Sequence, residues 1–156
     1  MFRLLSIHQR RPLAATDQNE FEWLILPADI ASVCRFQEFV VQGAQTACLR
    51  EEKVWKLELA LREALVNVIR YAFSEAEQGS IHVGYRAERP GLFCVVIRDT
   101  GRAFDPLSQS APELHADVRL RRIGGMGILF IRHLADEVVY ERADGINHLT
   151  LRFLPG

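Results

Sequence analysis

Three short groups of residues carry atoms suited to chemistry. Glu63 and Asn67 stand four apart, so on a helix they occupy neighbouring turns of one face. A carboxylate beside an amide oxygen suits a base next to a magnesium ligand, because magnesium takes oxygen donors and keeps several waters. The same spacing also suits an ordinary solvated helix face, and this segment alone does not decide between them. Arg70 and Tyr71 lie beside the pair. Asp99-Thr100-Gly101 comes directly after an apolar run. A carboxylate at a strand end accepts hydrogen bonds, and a glycine lets a flat ligand approach the backbone, though this is also a common loop entry. Gly124-Gly125-Met126-Gly127 precedes an apolar segment. Free N–H groups and the positive end of a helix dipole suit phosphate there. No Gly-Lys-Ser/Thr follows, so this is not a Walker loop, and a flexible hinge would read the same way.

The elements that must position these groups follow from periodicity. Phe21 to Leu26 reads as a strand. Asp29 to about Leu49 has helical spacing through Ile30, Val33, Val40, Val41 and Ala44. Glu51 to Phe73 reads as a longer helix, with Leu57, Leu61, Ala64, Leu65, Val68, Ile69 and Ala72 on one apolar band. Glu63 and Asn67 fall well away from the centre of that band. Ser80 to Arg86 alternates as a half-buried strand, Pro90-Gly91 is a turn, and Leu92 to Ile97 reads as a central strand. Arg98 to Ile123 has no clear periodicity, as expected of a functional loop or lid. A helix follows to about Ala135. Glu137 to Arg142 and His148 to Phe153 form a hairpin around Asp144-Gly145. The order β, α, α, β, β, lid, α, β, β predicts an α+β two-layer sandwich, with a mixed, mainly antiparallel sheet and its helices on one face.

Composition bounds the function. The chain has 156 residues, 49% hydrophobic and 25% charged, enough for one domain with its own core. We expect residues 21–156 to form that domain and residues 1–20 an N-terminal arm. Nineteen basic against twenty acidic residues give a net charge of −1, which argues against a broad nucleic-acid footprint. Cys34, Cys48 and Cys94 form no CxxC pair, and no run of 18 apolar residues occurs. The expectation is a cytoplasmic protein without a membrane span.

Taken together in this order, the three groups make the chain resemble the GHKL ATPase superfamily. Glu63-Ala64-Leu65-Val66-Asn67 with Arg70-Tyr71-Ala72 is similar to its N box. Asp99-Thr100-Gly101-Arg102-Ala103-Phe104-Asp105-Pro106 resembles the first glycine box of bacterial anti-sigma factor serine kinases. Gly124-Gly125-Met126-Gly127-Ile128-Leu129, with Leu134 to Val138 and Gly145-Ile146-Asn147, is similar to the second box and closing hairpin of that family.

The resemblance implies ATP and Mg²⁺ as cofactors. It implies Glu63 as general base, Asn67 as magnesium ligand and Asp99 as acceptor for the adenine amino group. Gly101 would make room for the base, Gly125 and Gly127 would line the triphosphate, and a lid from about Leu107 to Ile123 would close over it. Arg70, Phe104 and Met126 fall in the same boxes and complete the implied nucleotide contacts. Arg119, Arg121 and Arg122 lie in the lid, and Arg122 is taken as the phosphate contact. Ala103 departs from the glycine often found there. The implied partners are an anti-sigma-factor antagonist, a sigma factor and a second copy of the chain, without direct nucleic acid or membrane. A nucleotide-gated binding module with little kinase activity needs the same residues. A detached histidine-kinase catalytic domain would share the fold, but the chain is too short to hold a dimerisation helix pair as well.

Overall fold

The computed structural model describes residues 20–105, 107 and 125–155. The expected arm before Glu20, the lid beyond Leu107 and the arginines Arg119, Arg121 and Arg122 lie outside the described residues. Among the described residues, eight elements run in the order β1 (Glu22–Pro27), α1 (Ala31–Thr46), α2 (Glu51–Tyr71), β2 (Ser80–Arg89), β3 (Leu92–Asp99), α3 (Gly125–Leu134), β4 (Glu137–Ala143) and β5 (Ile146–Phe153). The type and order of every element match the periodicity.

The sheet order is β1-β2-β3-β5-β4, and every neighbouring pair is antiparallel. This corrects the expected mixed sheet. The crossover through α3 lays β4 in the same direction as β3, but the β4–β5 hairpin then inserts β5 between them, so no two parallel strands touch among the described residues. Asp144 and Gly145 form the hairpin turn with φ of 52° and 77°, the two positive values that match the twist of the strands. That tight turn fixes the register, setting Asn147 opposite Arg142 on one side and Asp99 on the other.

The core lies between one sheet face and the three helices. Phe36 and Val40 of α1, Leu57, Leu61 and Leu65 of α2, and Ile131 of α3 pack on Ile81, Val83, Ile97, Leu151 and Phe153. Along β5 the core-facing positions alternate as Asn147, Leu149, Leu151 and Phe153, the period of a strand. On the opposite face Trp23 lies over Gly84. The Arg98 guanidinium sits 4.3 Å from a Trp23 ring centre.

Helix α1 ends at Thr46, three residues before the expected Leu49. Cys48 adopts a left-handed backbone with φ of 57°, and Leu49 N–H returns to the Ala44 carbonyl at 2.9 Å, a turn that terminates helices. It starts at Ala31 because the Asp29 carboxylate already accepts the Ser32 N–H at 2.9 Å. Helix α2 carries Glu51 and Glu52 in its first turn and Arg70 in its last, each suited to the local end of the helix dipole. Lys53, nearly buried at the start of α2, donates to both Asp136 carboxylate oxygens at 2.8 and 2.6 Å. Asp136 also accepts the Leu154 N–H at 2.8 Å, so one acid ties α2 to the α3–β4 junction and to the chain after β5.

Candidate functional site: a pocket between α2, α3 and the central strands

The C-terminal half of α2, the C-terminal end of β3 and the start of β5 enclose a pocket. Its empty space is about 430 Å³ including the open mouth. Ala64, Val68, Ala72, Ile97, Phe104, Ile131 and Leu149 supply apolar walls, while Asn67, Asp99, Tyr140 and Asn147 supply the polar atoms. Apolar walls with a few fixed polar groups suit a flat heteroaromatic ligand. Phe104 also stacks on Tyr71, ring centres 6.1 Å apart, which joins the loop after β3 to the end of α2.

Asp99 is buried at the end of β3. Its Oδ1 accepts the Gly101 N–H at 2.9 Å and Asn147 Nδ2 at 2.9 Å. Its Oδ2 accepts nothing among the described residues. The carboxylate therefore keeps one oxygen for a ligand's donor in the pocket.

Gly101 does not line the pocket. A Cβ at this position would lie 2.4 Å from the Ala72 carbonyl oxygen, and the Arg102 N–H donates to that same carbonyl at 2.8 Å. This glycine lets the loop after β3 dock against the end of α2.

Asn67 is 8% exposed, although its helix position sets it off the centre of the apolar band. Helix α3 packs across that flank of α2 and buries it. Its Nδ2 is buried without a hydrogen-bond partner among the described residues. An orphaned buried amide is costly unless a ligand satisfies it. It stands against Gly127, whose Cβ would lie 3.5 Å from Nδ2, and beside Glu63, whose Oε2 would lie 2.8 Å from that same Cβ. An amide and a carboxylate at the N-terminal turn of a helix offer oxygen donors for a hard cation and N–H groups for its anionic companion. The residues present thus fit magnesium accompanied by phosphate.

Of the other expected contacts, Arg70 is exposed on α2 and does not line the pocket. Gly125 and Met126 open α3. Arg122 and Gly124 lie outside the described residues. The Arg132 guanidinium donates to the Leu107 carbonyl, linking α3 to the start of the lid segment.

Asn147 has no expected role beyond its place in the closing hairpin, and Tyr140 and Arg142 have none. Asn147 Nδ2 donates to Asp99 Oδ1 and to the Arg102 carbonyl at 2.8 Å, and its Oδ1 accepts Tyr140 Oη–H and Arg142 Nη1–H, both at 2.7 Å. A signal existed, since Asn147 breaks an otherwise apolar alternation along β5.

This fold and this pocket define a nucleotide-binding class, and comparison with known proteins agrees. Residues 26–153 match the histidine kinase-like ATPase domain, and the chain belongs to that family. It is 36% identical over 95 residues to the serine/threonine-protein kinase BtrW of Bordetella bronchiseptica, an alignment covering 61% of this chain and 66% of BtrW. The chain thus spans just under two thirds of that relative's length. It is 29% identical over 115 residues to the serine-protein kinase RsbW of Listeria innocua, covering 71% of this chain and 73% of RsbW. The crystal structure of the RsbU and RsbW domains of a Mycobacterium tuberculosis protein superposes with a TM-score of 0.62 at 13% identity, over 87% of this chain and 32% of that one; this establishes the shared fold. Among the described residues no helix is long and apolar enough to cross a membrane.

Proposed function

We propose that this chain is an ATP-dependent serine/threonine protein kinase that acts as an anti-sigma factor, phosphorylating an antagonist protein and sequestering a sigma factor. The observation that carries the reading is the meeting of Glu63, Asn67 and Gly127 at the tip of α3, beside a pocket that holds Asp99. The similarity to BtrW and RsbW supports the same reading.

In this reading Asp99 Oδ2 accepts the adenine amino group, with Phe104, Val68 and Leu149 against the ring. The N-terminal turn of α3, from Gly125 through Met126 to Gly127, and Arg122 of the lid hold the phosphates, with Arg70 at the rim. When bound at Asn67, magnesium supplies charge neutralisation at the phosphates. Glu63 takes the proton from a serine or threonine hydroxyl. The hydroxyl oxygen bonds to the γ-phosphorus as the bond from that phosphorus to the bridging oxygen breaks, and ADP leaves with the bond's electrons. A new charge of about −1.5 to −2 on the antagonist disrupts its packed interface with the kinase. The same reading places the protein in the cytoplasm, with the antagonist, the sigma factor and a second copy as its partners.

The test is phosphoryl transfer from labelled Mg-ATP to the cognate antagonist. Transfer is expected, falling about 10²–10⁴-fold in Glu63→Gln, the usual size of a general-base contribution. No transfer by the wild type sinks the kinase reading.

The same binding residues would serve a second reading, an ATP-gated binding module with little kinase activity. Nucleotide would then act by ordering the tip of α3, and Glu63→Gln would release its partner normally.

A further inference from the structure

The Asn147 amide is saturated: both N–H groups donate and its oxygen accepts twice. Its orientation is fixed by chemistry as well as by packing. Turned over, the amide would set oxygen against the Asp99 carboxylate and the Arg102 carbonyl, and N–H groups against the Arg142 guanidinium. Arg142 Nη1 is itself anchored by the Gly101 carbonyl at 3.0 Å. Two fixed donors, Asn147 Nδ2 and the Gly101 N–H, therefore converge on Asp99 Oδ1 and leave only Oδ2 toward the pocket.

We infer that Asn147, locked by Tyr140 and Arg142, is a positioning residue that sets which purine edge the pocket accepts. The inference rests on the nucleotide reading above and extends it to residues outside the three motif groups. With Oδ1 saturated by two donors, the group facing the ligand is an acceptor alone. A 6-amino purine presents a donor to it, whereas a 6-oxo purine presents a second acceptor and leaves both lone pairs unmet.

The arrangement has a consequence that a merely structural asparagine would not produce. In Asp99→Asn, the same two donors hold the new amide's oxygen where Oδ1 stood. Its NH₂ must then face the pocket. The pocket edge changes from acceptor to donor, and the preferred base changes from 6-amino to 6-oxo. Removing Asn147 leaves only the Gly101 N–H to hold the amide oxygen at position 99, and the switch is weakened.

The experiment measures equilibrium binding of ADP and inosine diphosphate, with magnesium, to the full chain. Wild type is expected to favour ADP by about 10–100-fold, the discrimination that one unpaired buried polar group supports. Asp99→Asn should favour inosine diphosphate. In the Asp99→Asn/Asn147→Ala double variant, the preference for inosine diphosphate should fall at least about threefold below that of Asp99→Asn alone, the non-additivity expected of residues in direct contact. Tyr140→Phe and Arg142→Met, each removing one donor to Asn147 Oδ1, should weaken the reversal in the Asp99→Asn background. They provide the same reading if Asn147→Ala does not fold. An equal reversal with and without the Asn147, Tyr140 or Arg142 changes overturns the inference, as does ADP binding by the wild type without discrimination; both leave the nucleotide reading standing. Binding of neither diphosphate by folded wild type overturns both.

Discussion

Gly127 at the tip of α3 lies directly against the carboxylate of Glu63 on α2: a Cβ at residue 127 would sit 2.8 Å from Oε2. The contact is with the far end of a flexible side chain, so an added methyl moves the carboxylate and leaves the backbone in place. Gly127→Ala should therefore melt within about 2 °C of wild type, since substitutions with small local effects fall within about 0.5 kcal/mol. It should slow phosphoryl transfer at least about tenfold, because small misplacement of a reacting group is costly. Single-turnover transfer alongside a melting curve separates the two. Unchanged transfer would remove Glu63 from the role of base at this position.

Gly101→Ala should behave in the opposite way. Its Cβ would meet the Ala72 carbonyl oxygen at 2.4 Å, and backbone does not give as a side chain does. Overpacking of this kind costs about 1–3 kcal/mol, a fall of roughly 3–10 °C in Tm for a domain of this size. A variant that melts like wild type but loses nucleotide would support the expectation that this glycine makes room for the base.

Asn67→Leu separates stability from binding. The amide nitrogen is buried and unsatisfied without ligand, so replacing it by an apolar group of similar size should leave the free protein equally stable or raise its Tm by a few degrees. Saturating Mg-ATP, at about 100 times its Kd, should stabilise wild type by about 2.7 kcal/mol and the variant by much less. A thermal shift in Asn67→Leu equal to wild type would show that this amide holds neither metal nor phosphate.

The pattern of apolar residues disclosed all eight elements because each buries one face, and a face leaves a period in the sequence. The three motif groups disclosed Asn67, Asp99 and Phe104, which the fold does bring into one pocket. What stayed hidden depends on contacts between elements. Asn67 reads as an outward helix position until α3 is laid across it. The docking of Gly101 on α2 shows only once the Ala72 carbonyl oxygen is found 2.4 Å from its absent Cβ. Asn147 becomes meaningful only once β5 pairs with β3 and sets it opposite Asp99. Helix α1 ends before its apolar spacing does because Cys48 takes a left-handed conformation usually left to glycine.

The Lys53–Asp136 pair gives the fold an acid limit. Burial acts to raise the Asp136 pKa, but the Lys53 hydrogen bond and the Leu154 N–H more than offset it, and the carboxyl sits below its ordinary value. A carboxyl with a depressed folded pKa contributes stability in full above the unfolded value, about 3.9, and loses it as pH falls through the lower folded value. Lys53→Met leaves Asp136 without its cation, and because that carboxylate is solvent-accessible the loss is about 1 kcal/mol, or roughly 2–4 °C in Tm at neutral pH. Lys53→Met/Asp136→Asn removes the stranded charge and should recover part of that loss. Melting curves from pH 7 down to pH 3 should show the gap between wild type and Lys53→Met narrowing below about pH 4, as Asp136 takes up a proton. A gap that stays constant across that range would mean that the ion pair does not clamp α2 to the α3–β4 junction.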